Sequence, residues 1–101
     1  MDQATDLAKT CLSLQVIKAE CLALLKKYEQ AENVANDVLR IDSKNIEALY
    51  TLALCRYYTG SIVTAISLLV QAAKFAPDHA KVVQLYKVCS TRLRYLLYLF
   101  L

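Results

Sequence analysis

A chain of 101 residues has room for one small domain or a short repeat array. Apolar residues make up 57% of it while Gly and Pro occur once each, which excludes a disordered chain and favours a helical protein. The formal net charge of +3 is too small to indicate a nucleic-acid partner, and no Lys/Arg stripe accompanies the aromatic residues that could stack on bases.

The charge is unevenly divided along the chain. Residues 1–45 hold six basic and seven acidic residues, whereas residues 46–101 hold six basic and two acidic ones. The second half therefore has a mild preference for acidic partners, and the alternative interpretation is that these charges only solvate helix faces.

The beginning of the chain shows no targeting segment. Residues 1–15, MDQATDLAKTCLSLQ, have an acidic second position and lack the basic region and long apolar core of a signal peptide. We therefore expect a cytoplasmic protein with reduced thiols, and the nucleus is an alternative location. The apolar end RYLLYLFL is much shorter than the roughly 20 residues of a membrane-spanning helix, so no transmembrane segment is predicted.

An internal repeat of 34 residues organises the sequence. Cysteine recurs at this interval, at Cys21, Cys55 and Cys89. Further coincident sets are Ala19 with Ala53, Ala31 with Ala65, Ala4 with Val38 and Ala72, and Leu7 with Ile41 and Phe75. Matches at small and apolar positions indicate packing that is shared by stacked repeats.

Each period contains two segments whose apolar residues recur at helical spacing. In the first segment, the residues expected on the packed face are Leu14, Ile17, Cys21, Leu24 and Leu25. The predicted helices lie near residues 14–26, 29–41, 46–59, 62–75 and 79–95, with residues 3–8 as the end of an incomplete one.

Capping residues predict where these helices begin and end. Asn45 precedes one helix as its N-cap, and Pro77 separates two others. Gly60 can adopt the left-handed conformation that ends a helix. Lys26 occupies the equivalent place one period earlier, so that turn has to form without glycine.

This pattern resembles the tetratricopeptide repeat (TPR), a helix–turn–helix unit of 34 residues. The matching residues are Leu49, Leu52, Ala53, Tyr57, Gly60, Ala65, Ala72 and Pro77 in one unit, and Ala19, Leu22, Tyr28, Ala31 and Val38 in the unit before it. The resemblance implies an all-α, right-handed α-solenoid of about two full repeats plus partial flanking ones. The expected array spans residues 1–91, with a partial unit 1–11, units 12–45 and 46–79, and the first helix of a further unit at 80–91; an apolar tail or capping helix follows at 92–101.

Within this family, IKAECLALLKKYEQAENVANDVLRIDSKNIEALY and QAAKFAPDH are similar to the middle repeats of the TPR-containing DnaJ co-chaperones. That resemblance implies a cytosolic scaffold whose TPR units contact the seventy- and ninety-kilodalton heat-shock chaperones. The J domain of that family needs a His-Pro-Asp tripeptide, but Pro77 follows Ala76 here, so J-domain activity is not expected. The chain begins within a repeat and departs from the family near Ser90, which predicts a truncated product as one alternative.

Chaperone-binding TPR domains hold the terminal carboxylates of an acidic peptide with Lys, Asn and Arg from three successive first helices. The corresponding positions here are Val16, Glu20, Thr51, Lys81 and Leu85. Only Lys81 matches, and Glu20 would repel a carboxylate, so this carboxylate clamp is not expected to work.

The inner faces of the first helices instead offer Tyr and apolar side chains, which suit a helix or an extended segment of a partner protein. The predicted groove residues are Val16, Glu20, Tyr50, Leu54, Tyr57, Tyr58, Lys81, Gln84 and Val88. For Leu54, Tyr57 and Val88 the alternative interpretation is that they pack neighbouring repeats. Tyr50 and Tyr58 are predicted to be exposed contact residues, whose replacement by alanine weakens binding with little change in melting temperature.

Catalytic, cofactor-binding and metal-binding sites are not predicted. His79 is the only histidine and lies beside Pro77 at a unit junction, where capping or solvent exposure is expected. The sequence has no Gly-rich phosphate loop and no Ser/His/Asp set. Cysteines at equivalent places in stacked repeats lie about 8–10 Å apart, too far for a disulfide, so Cys21, Cys55 and Cys89 are interpreted as small packing residues.

The apolar tail has two interpretations. It is either a capping helix laid on the last repeat or an exposed end that drives self-association. The residues concerned are Leu93, Leu96, Leu97 and Phe100.

Two classes of function stay open at this point. The first is a co-chaperone scaffold that binds a chaperone or client segment in the groove without catalysis. The second is an inactive fragment of a longer TPR solenoid, or a TPR adaptor unrelated to chaperones.

Overall fold

The computed structural model describes the backbone of residues 3–100 and the side chains of residues 11–100. Five helices follow one another: α1 (Gln3–Leu24), α2 (Tyr28–Ile41), α3 (Ile46–Tyr58), α4 (Ile62–Phe75) and α5 (Ala80–Phe100). The array measures 56 × 28 × 19 Å, an elongated shape that is typical of stacked helix pairs. The predicted all-α solenoid is confirmed.

Short turns make α1 with α2, and α3 with α4, antiparallel pairs. The pairs stack through their first helices, because α3 packs on α1 and α2 on one side and on α5 on the other. Among the described residues, no Cα atom of α1 or α2 lies within 8 Å of one in α4 or α5. In this part of the chain α3 is therefore the helix that connects the two halves.

The turns within the two pairs have the same hydrogen bonds. In each, the N–H of one residue donates to the carbonyl three residues earlier, and the next N–H donates to the carbonyl five residues before it, at 2.8–3.2 Å. This is the Schellman motif, which requires a left-handed residue. Gly60 has φ of +94° and Lys26 has φ of +65°, so the turn without glycine places a residue with a Cβ in that conformation.

The predicted helix boundaries around Asn45 and Pro77 are confirmed. Asn45 Oδ1 accepts a hydrogen bond from the Ala48 N–H at 3.0 Å and caps α3. α4 ends at Phe75, shortly before Pro77. At the start of α5, His79 Nε2 lies 3.1 Å from Glu47 Oε1, which links the beginnings of α3 and α5.

Small residues allow the helices to approach closely. Ala19, Ala35 and Leu52 form one buried cluster between the pairs, and Ala23, Ala31 and Cys55 form the next. Cys89 is buried in the larger α3–α4–α5 cluster. Cys55 and Cys89 therefore occupy the predicted packing position, whereas Cys21 is exposed, and the prediction for Cys21 is wrong.

The packed face predicted for α1, to which Cys21 belongs, is also wrong. Its members are all exposed: Leu14, Ile17, Cys21, Leu24 and Leu25. The residues that are buried instead are Val16, Ala19 and Ala23. The predicted face corresponds to the face of α3 that packs on the preceding helix pair, and no pair precedes α1 within residues 3–100.

The helix α1 runs without a break from Gln3 to Leu24, so the separate helix end predicted at residues 3–8 is wrong. The repeat aligns residues 8–11 with the linkers that contain Asn45 and Pro77. Residues 8–11, Ala-Lys-Thr-Cys, include neither proline nor glycine, and cysteine stands in the place of Asn45. With nothing to interrupt it, the helix continues.

Residues 92–100 likewise continue α5 and are not a separate tail. Arg94 stands where Gly60 ends α3, so the helix does not turn there. Leu93 and Leu96 are half-buried against the core, whereas Leu97 and Phe100 are exposed. The capping interpretation therefore holds for the first two residues and not for the last two. None of the helices described is long and apolar enough to cross a membrane.

Candidate protein-binding groove

The first helices α1, α3 and α5 form one continuous surface with three clefts, which we call the groove. The acidic cleft, about 320 Å³, is lined by Ser13, Val16, Ile17, Glu20, Asn45, Glu47 and Lys81. The central cleft, about 190 Å³, is lined by Glu20, Leu24, Tyr50, Thr51, Leu54 and Lys81. The basic cleft, about 490 Å³, is lined by Tyr57, Lys87, Val88, Thr91, Arg92 and Tyr95.

The acidic cleft carries two half-buried carboxylates, Glu20 of α1 and Glu47 of α3. Glu47 is held by its contact with His79, 3.1 Å from its carboxylate oxygen. The exposed side chain of Lys81 is the cation that lines this cleft. This end of the groove therefore favours a cationic or hydrogen-bond-donating group of a partner.

The central cleft is built around Tyr50 and Leu54, which lie one turn apart on α3 and pack against the core. Lys81 Nζ lies 5.9 Å from the centre of the Tyr50 ring, within cation–π distance. Burial, followed by the charges of Tyr58, Glu20 and Glu47, raises the pKa of Tyr50. Its phenol therefore stays neutral and can donate a hydrogen bond at physiological pH.

The basic cleft is the largest of the three and lies between the end of α3 and the second half of α5. Arg92 Cζ lies 5.5 Å from the centre of the Tyr57 ring. Lys87 brings a second cation, and the exposed Val88 and Tyr95 bring apolar surface. Two aromatic rings beside two cations can bind an aromatic or apolar side chain that is followed by a carboxylate.

Seven of the nine predicted groove residues line these clefts: Val16, Glu20, Tyr50, Leu54, Tyr57, Lys81 and Val88. Gln84 is exposed but lines none of the three. Tyr58 is exposed as expected but lines none of the three clefts; its ring stacks on Tyr28 at 5.6 Å and meets the Tyr57 ring edge-on at 5.3 Å. Tyr50 is half-buried rather than exposed, so its replacement by alanine also removes core packing.

The cations and the second aromatic ring of the basic cleft were not predicted from the sequence. Lys87, Arg92 and Tyr95 lie on or next to the face of α5 that carries Val88, at helical spacing. The prediction of a unit boundary at residue 91 separated Arg92 and Tyr95 from the repeat. Extending the helical pattern of α5 beyond that boundary would have found them.

Most residues at the positions of the carboxylate clamp are buried in the core. Val16, Thr51 and Leu85 are buried, and the Thr51 hydroxyl donates to the Glu47 carbonyl at 2.9 Å. Glu20 and Lys81 remain at the surface of the groove. The cations that face the groove therefore lie mainly in the basic cleft, away from the clamp positions.

Comparison with known proteins agrees with this architecture. The family model described as tetratricopeptide repeat matches residues 22–89. The chain therefore belongs to the TPR family, whose members stack helix pairs in this way. The C-terminal TPR-containing domain of a Plasmodium falciparum FK506-binding protein superposes with a TM-score of 0.77 at 31% identity, over 83% of this chain and 56% of that domain.

The resemblance to DnaJ-related proteins is also confirmed. DnaJ homolog subfamily C member 7 of Homo sapiens and of Mus musculus are each 48% identical to this chain over 81 residues. A homolog of the same protein in Dictyostelium discoideum is 37% identical over 68 residues, which are 67% of this chain and 13% of that relative. The match to the human and mouse proteins covers 80% of this chain but only 16% of their length.

Proposed function

We propose that this chain is a protein-interaction scaffold of a TPR co-chaperone, whose groove binds a segment of a chaperone or a client protein without catalysis of its own. The TPR fold and the DnaJ names of the relatives support this proposal. The observation that carries it is the groove itself, which combines aromatic anchors with charges of opposite sign at its two ends.

The apolar and the charged residues of the groove have different roles in binding. Tyr50, Leu54 and Tyr57 follow one another along α3 and supply apolar contact area, and tyrosine is among the residues that dominate binding energy at protein interfaces. The exposed charges at the two ends contribute more to association rate and orientation than to affinity. A bound segment is therefore held by its apolar side chains and oriented by its charges.

The orientation follows from the separation of charges along the groove. Glu20 and Glu47 lie in the acidic cleft, and Lys87 and Arg92 lie in the basic cleft. A segment with an apolar centre binds with its acidic residues beside α5 and its basic residues beside α1. Because every clamp position except Lys81 is buried or acidic, we propose that an internal segment binds here rather than a free C-terminus.

The proposed partners are the seventy- and ninety-kilodalton chaperones or their clients, and the proposed location is the cytoplasm or nucleus.

The test is isothermal titration of the full chain with each purified chaperone and with an unfolded client. We expect saturable binding that Arg92→Glu weakens by about tenfold or more, because the variant replaces attraction by repulsion at the acidic end of the segment and also removes the contact of Arg92 with the Tyr57 ring. Arg94→Glu, which changes an exposed arginine outside the clefts, is the matched control and should alter Kd by less than about twofold.

Exposed apolar surface on α1 and α5 favours one alternative, an inactive structural unit of a longer solenoid. In that case no chaperone or client binds saturably. Saturable binding only to proteins other than chaperones and clients would instead indicate a TPR adaptor of another kind. Equal effects of Arg92→Glu and Arg94→Glu would contradict the groove as the binding site.

A further inference from the structure

A fourth cleft lies on the opposite face of the array, between α4 and α5. Its volume is about 270 Å³, and its lining is Leu69, Val70, Ala73, Val82, Val83 and Tyr86. Apart from the tyrosine hydroxyl the lining side chains are apolar. The cleft has no part in the groove described above.

The equivalent place one repeat earlier, between α2 and α3, is filled by the chain itself. There Leu68 of α4 packs against the cluster that contains Ala35 and Leu52, beside Leu39. The side chain that fills it comes from a helix antiparallel to α3. At the α4–α5 cleft, α5 continues through Arg94 instead of turning back, and the described chain supplies no such side chain.

The outer face of α4 beside this cleft is apolar, whereas the equivalent face of α2 in the preceding repeat is polar. The outer face of α4 carries Val63 and Val70, which are 66% and 40% exposed. The equivalent positions of α2 hold Glu29 and Asn36. Val63 and Val70, seven residues or about two turns apart, therefore form an apolar stripe beside the cleft that α2 does not have.

The end of α5 has the complementary character. Leu97 and Phe100 are exposed on the side of α5 that also carries Tyr86 and Val83. Pairs spaced three residues apart occur both in the cleft, at 83 and 86, and at the helix end, at 97 and 100. An antiparallel copy of α5 can therefore place Leu97 opposite Tyr86 and Phe100 opposite Val83 in a single register.

We propose that two copies of this chain form a symmetric dimer, in which the end of α5 of each copy fills the α4–α5 cleft of the other. The contact is isologous, because each copy supplies one cleft and one helix end. The partner α5 runs antiparallel to α5, as α4 does to α3, so Leu97 takes the role that Leu68 has in the preceding repeat. With a length of about 31 Å, α5 is long enough for both contacts to form together.

The exposed apolar area is sufficient for such a contact. Each copy brings to the contact the exposed residues Val63, Val70 and Tyr86 around its cleft and Leu97 and Phe100 at its helix end, between 40% and 86% exposed. Two aromatic rings, a leucine and two valines amount to roughly 500 Å² per copy, so the dimer buries on the order of 1,000 Å², about the minimum of a specific interface. Both copies carry a formal charge of +3, so added salt should strengthen the association by screening their repulsion.

The test is sedimentation equilibrium of the full chain over a range of protein and salt concentrations. We expect a monomer–dimer equilibrium that is tighter at higher salt. The double variant Val63→Glu with Val70→Asn should weaken the dimer by about thirtyfold or more and keep its helix content, because α2 carries these residue types at the same positions. Ile17→Gln, on the exposed apolar face of α1, is the control and should leave the dimer unchanged.

The register is tested independently with Tyr86→Lys and Leu97→Glu. Each single change should weaken the dimer, and the double variant should recover part of the loss, because the new charges face each other between copies. A monomeric wild-type chain at all concentrations overturns the proposal. Dissociation by Ile17→Gln but not by the α4 variant, or the absence of any recovery in the double variant, overturns it as well.

Discussion

The two Schellman turns differ at a single residue, and the difference has an energetic consequence. Lys26 holds a side chain in the left-handed conformation, which costs an L-residue about 1–2 kcal/mol, whereas Gly60 adopts it freely. Lys26→Gly should therefore raise the free energy of unfolding by about 0.5–1 kcal/mol, part of the gain being offset by the more flexible unfolded chain. Gly60→Ala should lower it by about 1 kcal/mol although no heavy atom lies within 4 Å of the added Cβ. Urea denaturation measures both changes.

The control for this prediction is Lys26→Ala, which removes the long side chain and keeps the Cβ. It should leave the stability within about 0.5 kcal/mol of the wild type. A gain equal to that of Lys26→Gly would show that the side chain of Lys26, and not its backbone conformation, is the source of the effect.

Burial of the thiol makes Cys55 a source of pH dependence. Burial, with a smaller contribution from Glu32 and against the opposing effect of Arg56, raises the pKa of Cys55 from 9.0 to about 11. Between these two pH values the folded state binds more protons than the unfolded state. The contribution of the Cys55 thiol to the free energy of unfolding is therefore complete below about pH 9 and is lost as pH rises to about 11. The free energy of unfolding should therefore fall across this window, and the fall should be smaller in Cys55→Ala. Equal slopes in both proteins would contradict the prediction.

Among the helices, the N-caps of α3 and α4 provide a matched comparison. The Asn45 side chain accepts a hydrogen bond at the start of α3, whereas Ser61 makes no side-chain capping bond at the start of α4. Asn45→Ala should therefore lower the free energy of unfolding by about 1 kcal/mol, and Ser61→Ala should change it little. Chemical denaturation distinguishes the two, and equal losses would argue against the cap as the cause.

The last turns of α5 combine a packed side and an exposed side. Leu96 is half-buried against the core, whereas Leu99 is 59% exposed. Leu96→Ala should lower the free energy of unfolding by about 1–2 kcal/mol, while Leu99→Ala should change it by less than about 0.5 kcal/mol. The measurement is a thermal or urea melt at protein concentrations below those at which the chain associates. A larger loss for Leu99→Ala would mean that this end of the helix packs differently.

At the scale of the whole molecule, stability should be transmitted through α3, which alone among the described helices contacts the other four. In repeat proteins each unit is stabilised by its immediate neighbours. Leu85→Ala removes buried contacts of α5 and should increase amide hydrogen exchange in α4 and α5 much more than in α1 and α2. Mass spectrometry of the exchanged protein measures this, with the slowest exchange expected in α3. A uniform increase in all helices would indicate a single cooperative unit.

The sequence is sufficient for the fold because its information is local and repeated. The spacing of Ala19, Ala53 and the three cysteines predicts the helix pairs, and Asn45, Gly60 and Pro77 predict their ends. The candidate site is predicted less completely. Helical spacing shows which residues share a face of α3, but it does not show that Tyr58 stacks on Tyr28, because that contact joins two different repeats.

The period and the residues within it determined by themselves that this protein is a solenoid of helix pairs, since each pair needs only its own pattern and its neighbour. Only the tertiary structure decided which apolar residues are covered. Cys21 and Cys55 have the same place in the repeat, but a helix pair precedes α3 and none precedes α1 in the described chain, so one thiol is buried and the other is exposed. Likewise, the continuation of α5 past Arg94 created the basic cleft and left the α4–α5 cleft open. Burial depends on what lies opposite a residue, and a local pattern does not contain that information.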